Sequence, residues 1–191
     1  KFHLMPERRR KQGFIKPDDL GKPEAKYQNL IENFCPIRPN VVWVGDFTHL
    51  RFRDSWVYLA TVMDIYSREI VGWYLSTNHS KDLIIEAFLD AIDRRKTVPV
   101  YFHSDQGSEY DSDEYLKLLE NHGIIISMSR KSSPWENGYQ ESFYGGFKLD
   151  LGPTSHYQDL GEVIEAVAQT MYYYNNQRIH TRLKTAPVKF R

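Results

Sequence analysis

Three carboxylates stand where a carboxylate is awkward: Asp46, Asp105 and Glu141. Asp46 interrupts the β-rich run from Val41 to Leu50, Asp105 follows the short run Val100-Tyr101-Phe102-His103-Ser104, and Glu141 lies inside a helical segment. Thirty-five residues, 106 to 140, separate Asp105 from Glu141. Carboxylates held together repel by roughly 4 kcal/mol per pair at about 4 Å and an effective dielectric near 20. Divalent cations relieve that repulsion, and oxygen-only ligands suit Mg²⁺ or Mn²⁺. Two such ions would bridge a phosphate, sharpen a water or sugar hydroxyl as nucleophile and stabilise the leaving oxygen. Phosphodiesters are so inert that about 8–23 kcal/mol must come off the barrier, and general acid–base work supplies only about 10²–10⁴-fold. The expectation is a metal-dependent phosphoryl-transfer site with Asp46, Asp105 and Glu141 as catalytic metal ligands.

The elements that must position these groups follow from local pattern. Residues 41–52, 55–64 and 69–77 are rich in Val, Ile, Trp, Tyr and Thr. Short turns at Arg53-Asp54-Ser55 and Tyr66-Ser67-Arg68 join them, which predicts three antiparallel neighbours. From Ser80 to Arg95, Leu83, Ile84, Ala87, Phe88, Ala91 and Ile92 recur at helical spacing. A strand over 98–103 follows. Asp111-Ser112-Asp113-Glu114 reads as a capping box opening a helix to Asn121, with Gly123 as its stop, and 124–128 is a further strand. Ser133-Pro134-Trp135-Glu136 reads as another capping box, opening a helix to about Leu149 with Pro134 at its first position. A last helix runs from Asp159 to about Asn176. This order predicts an α/β fold, a mixed five-stranded sheet flanked by helices. In it the first strand is central and the strand ending near Asp105 pairs beside it. Asp46 and Asp105 then meet at one sheet edge, and the helix from 134 brings in Glu141.

The chain has 191 residues, enough for one sizeable core, and 41% of them are hydrophobic, as in a globular domain. No run of about 18 apolar residues is present, so no membrane span is expected. The opening Lys1–Pro6 leads into no apolar h-region, so a signal peptide is not expected, and a first residue other than Met suggests a fragment. Cys35 stands alone, which excludes a disulfide framework and a cysteine-based zinc site and suits a cytosolic setting. Net charge is zero but unevenly spread. Residues 1–40 hold nine Lys/Arg against five Asp/Glu, 41–126 eight against fourteen, and 127–191 eight against six. An acidic middle between basic ends suits metal binding beside a polyanion. Residues 1–39, with Arg8-Arg9-Arg10-Lys11 followed by Pro17, Gly21, Pro23, Pro36 and Pro39, read as a basic, partly extended arm that is either a solvated linker or a DNA contact. Residues 40–191 are the core with its C-terminal helix.

Several stretches together resemble one family. These are Trp43-Val44-Gly45-Asp46-Phe47-Thr48, the run Tyr58 to Trp73, His103-Ser104-Asp105-Gln106-Gly107-Ser108-Glu109-Tyr110, and Ser127-Met128-Ser129-Arg130-Lys131. Trp135-Glu136-Asn137, Glu141-Ser142-Phe143, Lys148, Tyr174 to His180 and Ala186-Pro187 continue the pattern. Over about residues 27–191 the chain is similar to the integrase core (rve superfamily) of bacterial insertion-sequence transposases. The resemblance implies a ribonuclease H-like fold and an Asp-Asp-Glu triad shared with retroviral integrases. It also implies Mg²⁺-dependent polynucleotidyl transfer in DNA integration and transposition: cleavage at element ends, then strand transfer. It makes Asp46, Asp105 and Glu141 the ligands of two metal ions and Lys148, seven residues after Glu141, a DNA contact. Element-end and target DNA would be the partners of a homo-oligomer formed on DNA, at the nucleoid of a bacterial cell. Gly145-Gly146 departs from the pattern, each glycine costing roughly 0.8–1 kcal/mol against alanine in mid-helix. The helix-turn-helix region that such transposases use for end recognition is not expected within these residues.

Other residues carry two readings each. Arg130 and Lys131 precede the Glu141 helix in a polar segment and suit DNA contact. Trp135 would either stack on a base or anchor the helix. Arg178, with His180 and Arg182, is a phosphate contact or a surface cation. Asp64 reads as structural, and His103 as core or as support to the site. Two alternatives to a transposase remain: a ribonuclease H-like nuclease that only hydrolyses, and a domesticated, non-catalytic DNA-binding protein.

Overall fold

β1 (Val42–Phe52) is the strand around which the sheet is built. In the computed structural model, which describes residues 26–32, 34–130 and 138–191, it is flanked on both sides. β2 (Ser55–Asp64) pairs with it antiparallel and β3 (Ile70–Ser76) follows antiparallel on β2. On the other side β4 (Tyr101–Ser104) and β5 (Ile125–Met128) add in parallel, giving the order β3-β2-β1-β4-β5. The mixed five-stranded sheet predicted from the element order is therefore present.

Side-chain alternation along β1 divides the core in two. Trp43 points to the face covered by α1 (Lys81–Arg95) and α2 (Asp113–Asn121), where Phe88, Phe102 and Tyr115 meet edge to face. Val42 and Val44 point to the opposite face, covered by α3 (Gly138–Leu151) and α4 (Leu160–Asn176) through Phe143, Phe147, Val163 and Val167. Gly72 on β3 lies against the backbone of α1. The turn after β2 is built on Asp64, which is fully buried and accepts the N–H groups of Asn40, Tyr66 and Ser67 at 2.6, 2.9 and 3.3 Å. Asp64 is structural, as read from the sequence.

Element ends differ from expectation in a few places. The strand predicted over 98–103 is shorter and begins at Tyr101, because parallel pairing with β1 starts only at Val42. The α2 cap is Ser112, not Asp111, and its hydroxyl donates to the Glu109 carbonyl instead of accepting from the helix, so no capping box forms. Gly123 does stop α2, at φ +68, where a side chain is strained. Asp159 caps α4 by accepting the Glu162 N–H at 2.9 Å. The short helices Thr154–His156 and Pro187–Phe190 were not predicted. The capping box proposed at Ser133–Glu136 lies outside the described residues, as do residues 1–25 of the basic arm. The described end of that arm lies against the body: Ile31 is buried, and Leu30 N–H donates to Ser127 Oγ at 2.9 Å. Among the described residues no helix is long and apolar enough to cross a membrane.

Candidate active site

The strand registers bring the two aspartates together. β1 and β4 run parallel with Val44 opposite His103; Asp46 lies two residues further along β1 and Asp105 directly after the end of β4, near enough for its charge to act on Asp46. Across the antiparallel pair Asp46 faces Thr61 of β2, and paired residues project to the same side of the sheet. That side is the one covered by α3. Gly45, the preceding residue, has no room for a side chain, since a Cβ there would stand 2.7 Å from the Phe102 ring on the other face.

A network of buried polar groups seats α3 over this point. Gln140 Nε2 donates to the Val44 carbonyl at 2.8 Å, and Tyr144 OH donates to the Asp46 carbonyl at 2.8 Å. Thr61 Oγ1 completes the set, 3.1 Å from Gln140 Oε1 and 2.8 Å from Tyr144 OH. Gln140 and Tyr144 are one turn apart, and Glu141 sits beside them on the exposed rim of the helix. These supports were missed in the sequence. Their signal is a glutamine placed on the apolar stripe of Phe143 and Phe147, where a polar side chain needs a buried partner. Tyr144→Phe should lower stability by about 1–3 kcal/mol, because a carbonyl and a hydroxyl lose a buried partner. A chemical-denaturation midpoint and m-value equal to wild type would show that the network carries no weight.

The electrostatics of the three acids are coupled. Desolvation first, then the negative charges of Asp105 and Glu141, push Asp46 up to about 7, against one backbone N–H donated by Phe47 that favours the charged form. Each aspartate spends one oxygen locally: Asp46 Oδ1 accepts Phe47 N–H at 2.8 Å, and Asp105 Oδ1 accepts Gly107 N–H at 2.9 Å. Among the described residues the second oxygen of each has no hydrogen-bond donor. Nor, among the described residues, do three ligand-type side chains converge as a ready-made cage. The charges of Asp105 and Glu141 are near enough to raise the proton affinity of Asp46. Anionic oxygen donors short of positive charge fit Mg²⁺ or Mn²⁺ chemically.

The remaining predicted residues distribute as follows. Lys148 lies two turns after Glu141 on the same exposed face of α3, and local desolvation lowers its ammonium from the ordinary value. Arg130 is exposed and 3.3 Å from Glu32. Arg178 is ion-paired with Asp150 and donates to the Gly146 carbonyl at 3.4 Å. A Cβ on Gly146 would stand 3.2 Å from that guanidinium, which accounts for one of the two mid-helix glycines. Lys131 and Trp135 lie outside the described residues. His103 is fully buried with Nδ1 2.9 Å from Ser127 Oγ, a core histidine. A fourth acid was also missed: Glu109 pairs with His79 at 3.2 Å, and His79 stacks against Phe47 and Tyr58 beside Asp46.

The integrase core domain family matches residues 36–134, and a second integrase core domain family matches residues 122–187. The chain is 37% identical over 158 residues to the transposase for insertion sequence element IS904 of Lactococcus lactis, covering 81% of this chain and 62% of that protein. It is 35% identical over 165 residues to an uncharacterised 31 kDa protein of insertion element IS600 from Shigella sonnei, covering 85% and 61%. The chain thus spans about three fifths of the length of these relatives. Among solved structures, the HTLV-2 integrase catalytic core domain in complex with magnesium superimposes with a TM-score of 0.65 at 18% identity, over 81% of this chain and 97% of that one. The simian T-cell lymphotropic virus intasome in complex with PP2A regulatory subunit B56 gamma gives 0.72 at 18% identity, over 88% and 58%. At such identities the likeness establishes the ribonuclease H-like fold of retroviral integrase cores.

Proposed function

Because this chain belongs to the integrase core domain family, we propose that it is the catalytic core of an insertion-sequence DNA transposase. The observation that supports the reading is the parallel pairing of β1, which carries Asp46, with β4, which leads into Asp105, together with the charges of Asp105 and Glu141 raising the proton affinity of Asp46. Asp46 and Asp105 would hold divalent metal, with Glu141 as the third ligand. A pair of Mg²⁺ or Mn²⁺ ions would supply Lewis-acid activation of an oxygen nucleophile and neutralise charge on the phosphate. In cleavage at an element end water forms a new P–O bond as the P–O3′ bond breaks, leaving a 5′-phosphate and a 3′-hydroxyl. In joining, that hydroxyl loses its proton and forms a new P–O bond as a P–O3′ bond of the target breaks, and the departing target 3′ oxygen takes up a proton.

The chain's own residues supply binding and placement. Without cations the three acids repel the DNA phosphate, so the scissile group is held by positive charge from the flanks. Lys148 shares the Glu141 face and reaches a phosphate from the exposed side of α3, with Arg130, Lys131 and Trp135 as further contacts. Gln140, Tyr144 and Thr61 fix the height of Glu141 over β1. The arm with Arg8–Lys11 adds sequence-independent affinity. Assembly as a homo-oligomer on element-end and target DNA at the bacterial nucleoid is part of the same reading.

The deciding experiment incubates the chain with labelled element-end DNA, a target duplex and Mg²⁺ or Mn²⁺. Joined products support the transposase reading, hydrolysis alone points to a nuclease, and DNA binding with neither points to a non-catalytic binder. Lys148→Ala should weaken DNA binding and reduce the slope of log K against log salt by about 0.9, one phosphate contact. An unchanged slope would make Lys148 an ordinary surface lysine.

A further inference from the structure

On the side of α3 next to Glu141 lies a cavity of about 570 Å³ that none of the three catalytic acids lines. Arg68 reaches into it from the turn after β2. Its side chain is unusual: the residue is only 8% exposed, its guanidinium carbon stands 3.9 Å from the centre of the Tyr139 ring, and Nη1 has no hydrogen-bond partner. Among the described residues no carboxylate pairs with it. A guanidinium cannot escape desolvation by losing its proton, as a lysine or histidine can. An enclosed, permanently charged group without a counter-ion therefore calls for an anion from outside.

The other charges around the cavity leave that demand unmet. Among the described residues its two nearby acids are already committed, Asp150 to Arg178 and Glu32 to Arg130. Arg182 lines the cavity from an exposed position and makes no ion pair among the described residues. His180 lies between these cations, and burial together with the charges of Arg68, Arg178 and Arg182 lowers its pKa, which keeps it neutral. Its Nδ1 accepts the Arg182 N–H at 3.3 Å, so Nε2 carries the proton and is a donor. The result is two uncompensated cations and a neutral donor beside an apolar wall of Ile31, Met63 and Phe143. Ligand sites commonly run from about 300 to 1,000 Å³, so the space suits a nucleotide rather than a bare inorganic ion.

The path to the cavity starts at the active site. Ser142, the neighbour of Glu141, lines it, and so does Gly146. Between Glu141 and this pair on the helix surface is Gly145, where a Cβ would meet nothing within 4 Å, so packing within the protein does not require its bareness. A strand crossing from Glu141 to the cavity would pass over these small residues with its backbone close to the helix.

We propose that this cavity binds a nucleotide next to the reacting one, with Arg68 and Arg182 on its phosphate and the apolar wall against its sugar and base. The proposal rests on reading the chain as a DNA-processing core, but its test needs no catalysis. The 191-residue chain is titrated in EDTA with a labelled single-stranded oligonucleotide, with a free deoxynucleoside monophosphate and with inorganic phosphate. Losing one charge-assisted contact should raise the oligonucleotide Kd about tenfold in Arg68→Met and about fivefold in Arg182→Ala. Arg182 is exposed, so its variant keeps the test valid even where Arg68→Met does not fold. A response confined to the oligonucleotide makes the ligand strand-borne, and a parallel response to the mononucleotide makes it a free nucleotide; both support the site. Unchanged binding of both ligands in Arg182→Ala overturns it. So does a loss of self-association in that variant with DNA binding intact, which would assign the cavity to an acidic group of a second copy. If wild type joins DNA and no shift is seen, this inference fails alone; if shifts are seen and DNA is never joined, the transposase reading fails alone.

Discussion

Asp46→Asn should abolish DNA cleavage and joining, by at least about 10³-fold, while making the metal-free protein more stable at pH 8. The first effect follows because removing one ligand's charge and coordination forfeits several kcal/mol of transition-state stabilisation, at 1.36 kcal/mol per tenfold. The second follows from the proton balance. Folding raises the Asp46 pKa from 3.8 to about 7, so between these values the folded state holds a proton that the unfolded chain has released. The stabilisation this represents is complete below the unfolded value and disappears as pH rises through the folded one. Above it, an ionised carboxylate sits among two others without compensation. Asparagine carries no charge and still accepts the Phe47 N–H. A shift of that size corresponds to about 4 kcal/mol, and partial solvent contact at Asp46 reduces it to about 2 kcal/mol. Thermal melts in EDTA should show the variant's advantage at pH 8 and its disappearance near pH 4. Mg²⁺ should raise the melting temperature of wild type and leave the variant unmoved. A wild type that is the more stable partner at pH 8 without metal would contradict the coupled-carboxylate site. Asp105→Asn and Glu141→Gln should lose the chemistry equally.

The parts of this site legible in the sequence are those set by short-range pattern. Alternation in Val41–Leu50 places Asp46 on a defined face, and the element order puts β1 in the middle with β4 beside it. From these two facts Asp46 and Asp105 are expected at one sheet edge before any coordinate is known, and the charge of Asp105 does act on Asp46. What escaped are contacts between groups far apart in the chain. Gln140 reaches Thr61 across 79 positions and Tyr144 reaches Asp46 across 98, and no local signature marks either. Arg68 reads locally as a turn residue, and only the packing of α3 and the segment after α4 reveals it as a buried cation. Conversely, the local capping signal at Asp111–Glu114 was overruled when the Ser112 hydroxyl found the Glu109 carbonyl. Tertiary hydrogen bonding decides such cases, since a Ser or Asp side chain has several backbone partners of similar strength within reach.

Gly72→Ala should be the most damaging single methyl in the fold, costing about 3 kcal/mol or more. A Cβ at this position would lie 2.4 Å from the Ala91 nitrogen, 2.5 Å from the Ala87 carbonyl oxygen and 2.6 Å from the Ala91 Cα. All three are backbone atoms of a helix that cannot bend aside as a side chain could. The helix must instead lift off β3, and with it Leu83, Ile84 and Phe88 would lose their fit against Trp43 and Val71. Overpacking of cores costs about 1–3 kcal/mol where side chains can give, and this contact gives least. For a chain of this size that is a fall of about 6–12 °C in melting temperature. The consequence for chemistry should be small, which separates this position from the site itself. α1 covers the face of β1 opposite to Asp46, and α3 is seated by Gln140 and Tyr144 without it. Below its melting temperature the variant should therefore retain wild-type turnover with DNA and Mg²⁺. A melting temperature within about 2 °C of wild type would mean that α1 is free to shift on the sheet, and the close approach at Gly72 would not be what holds it.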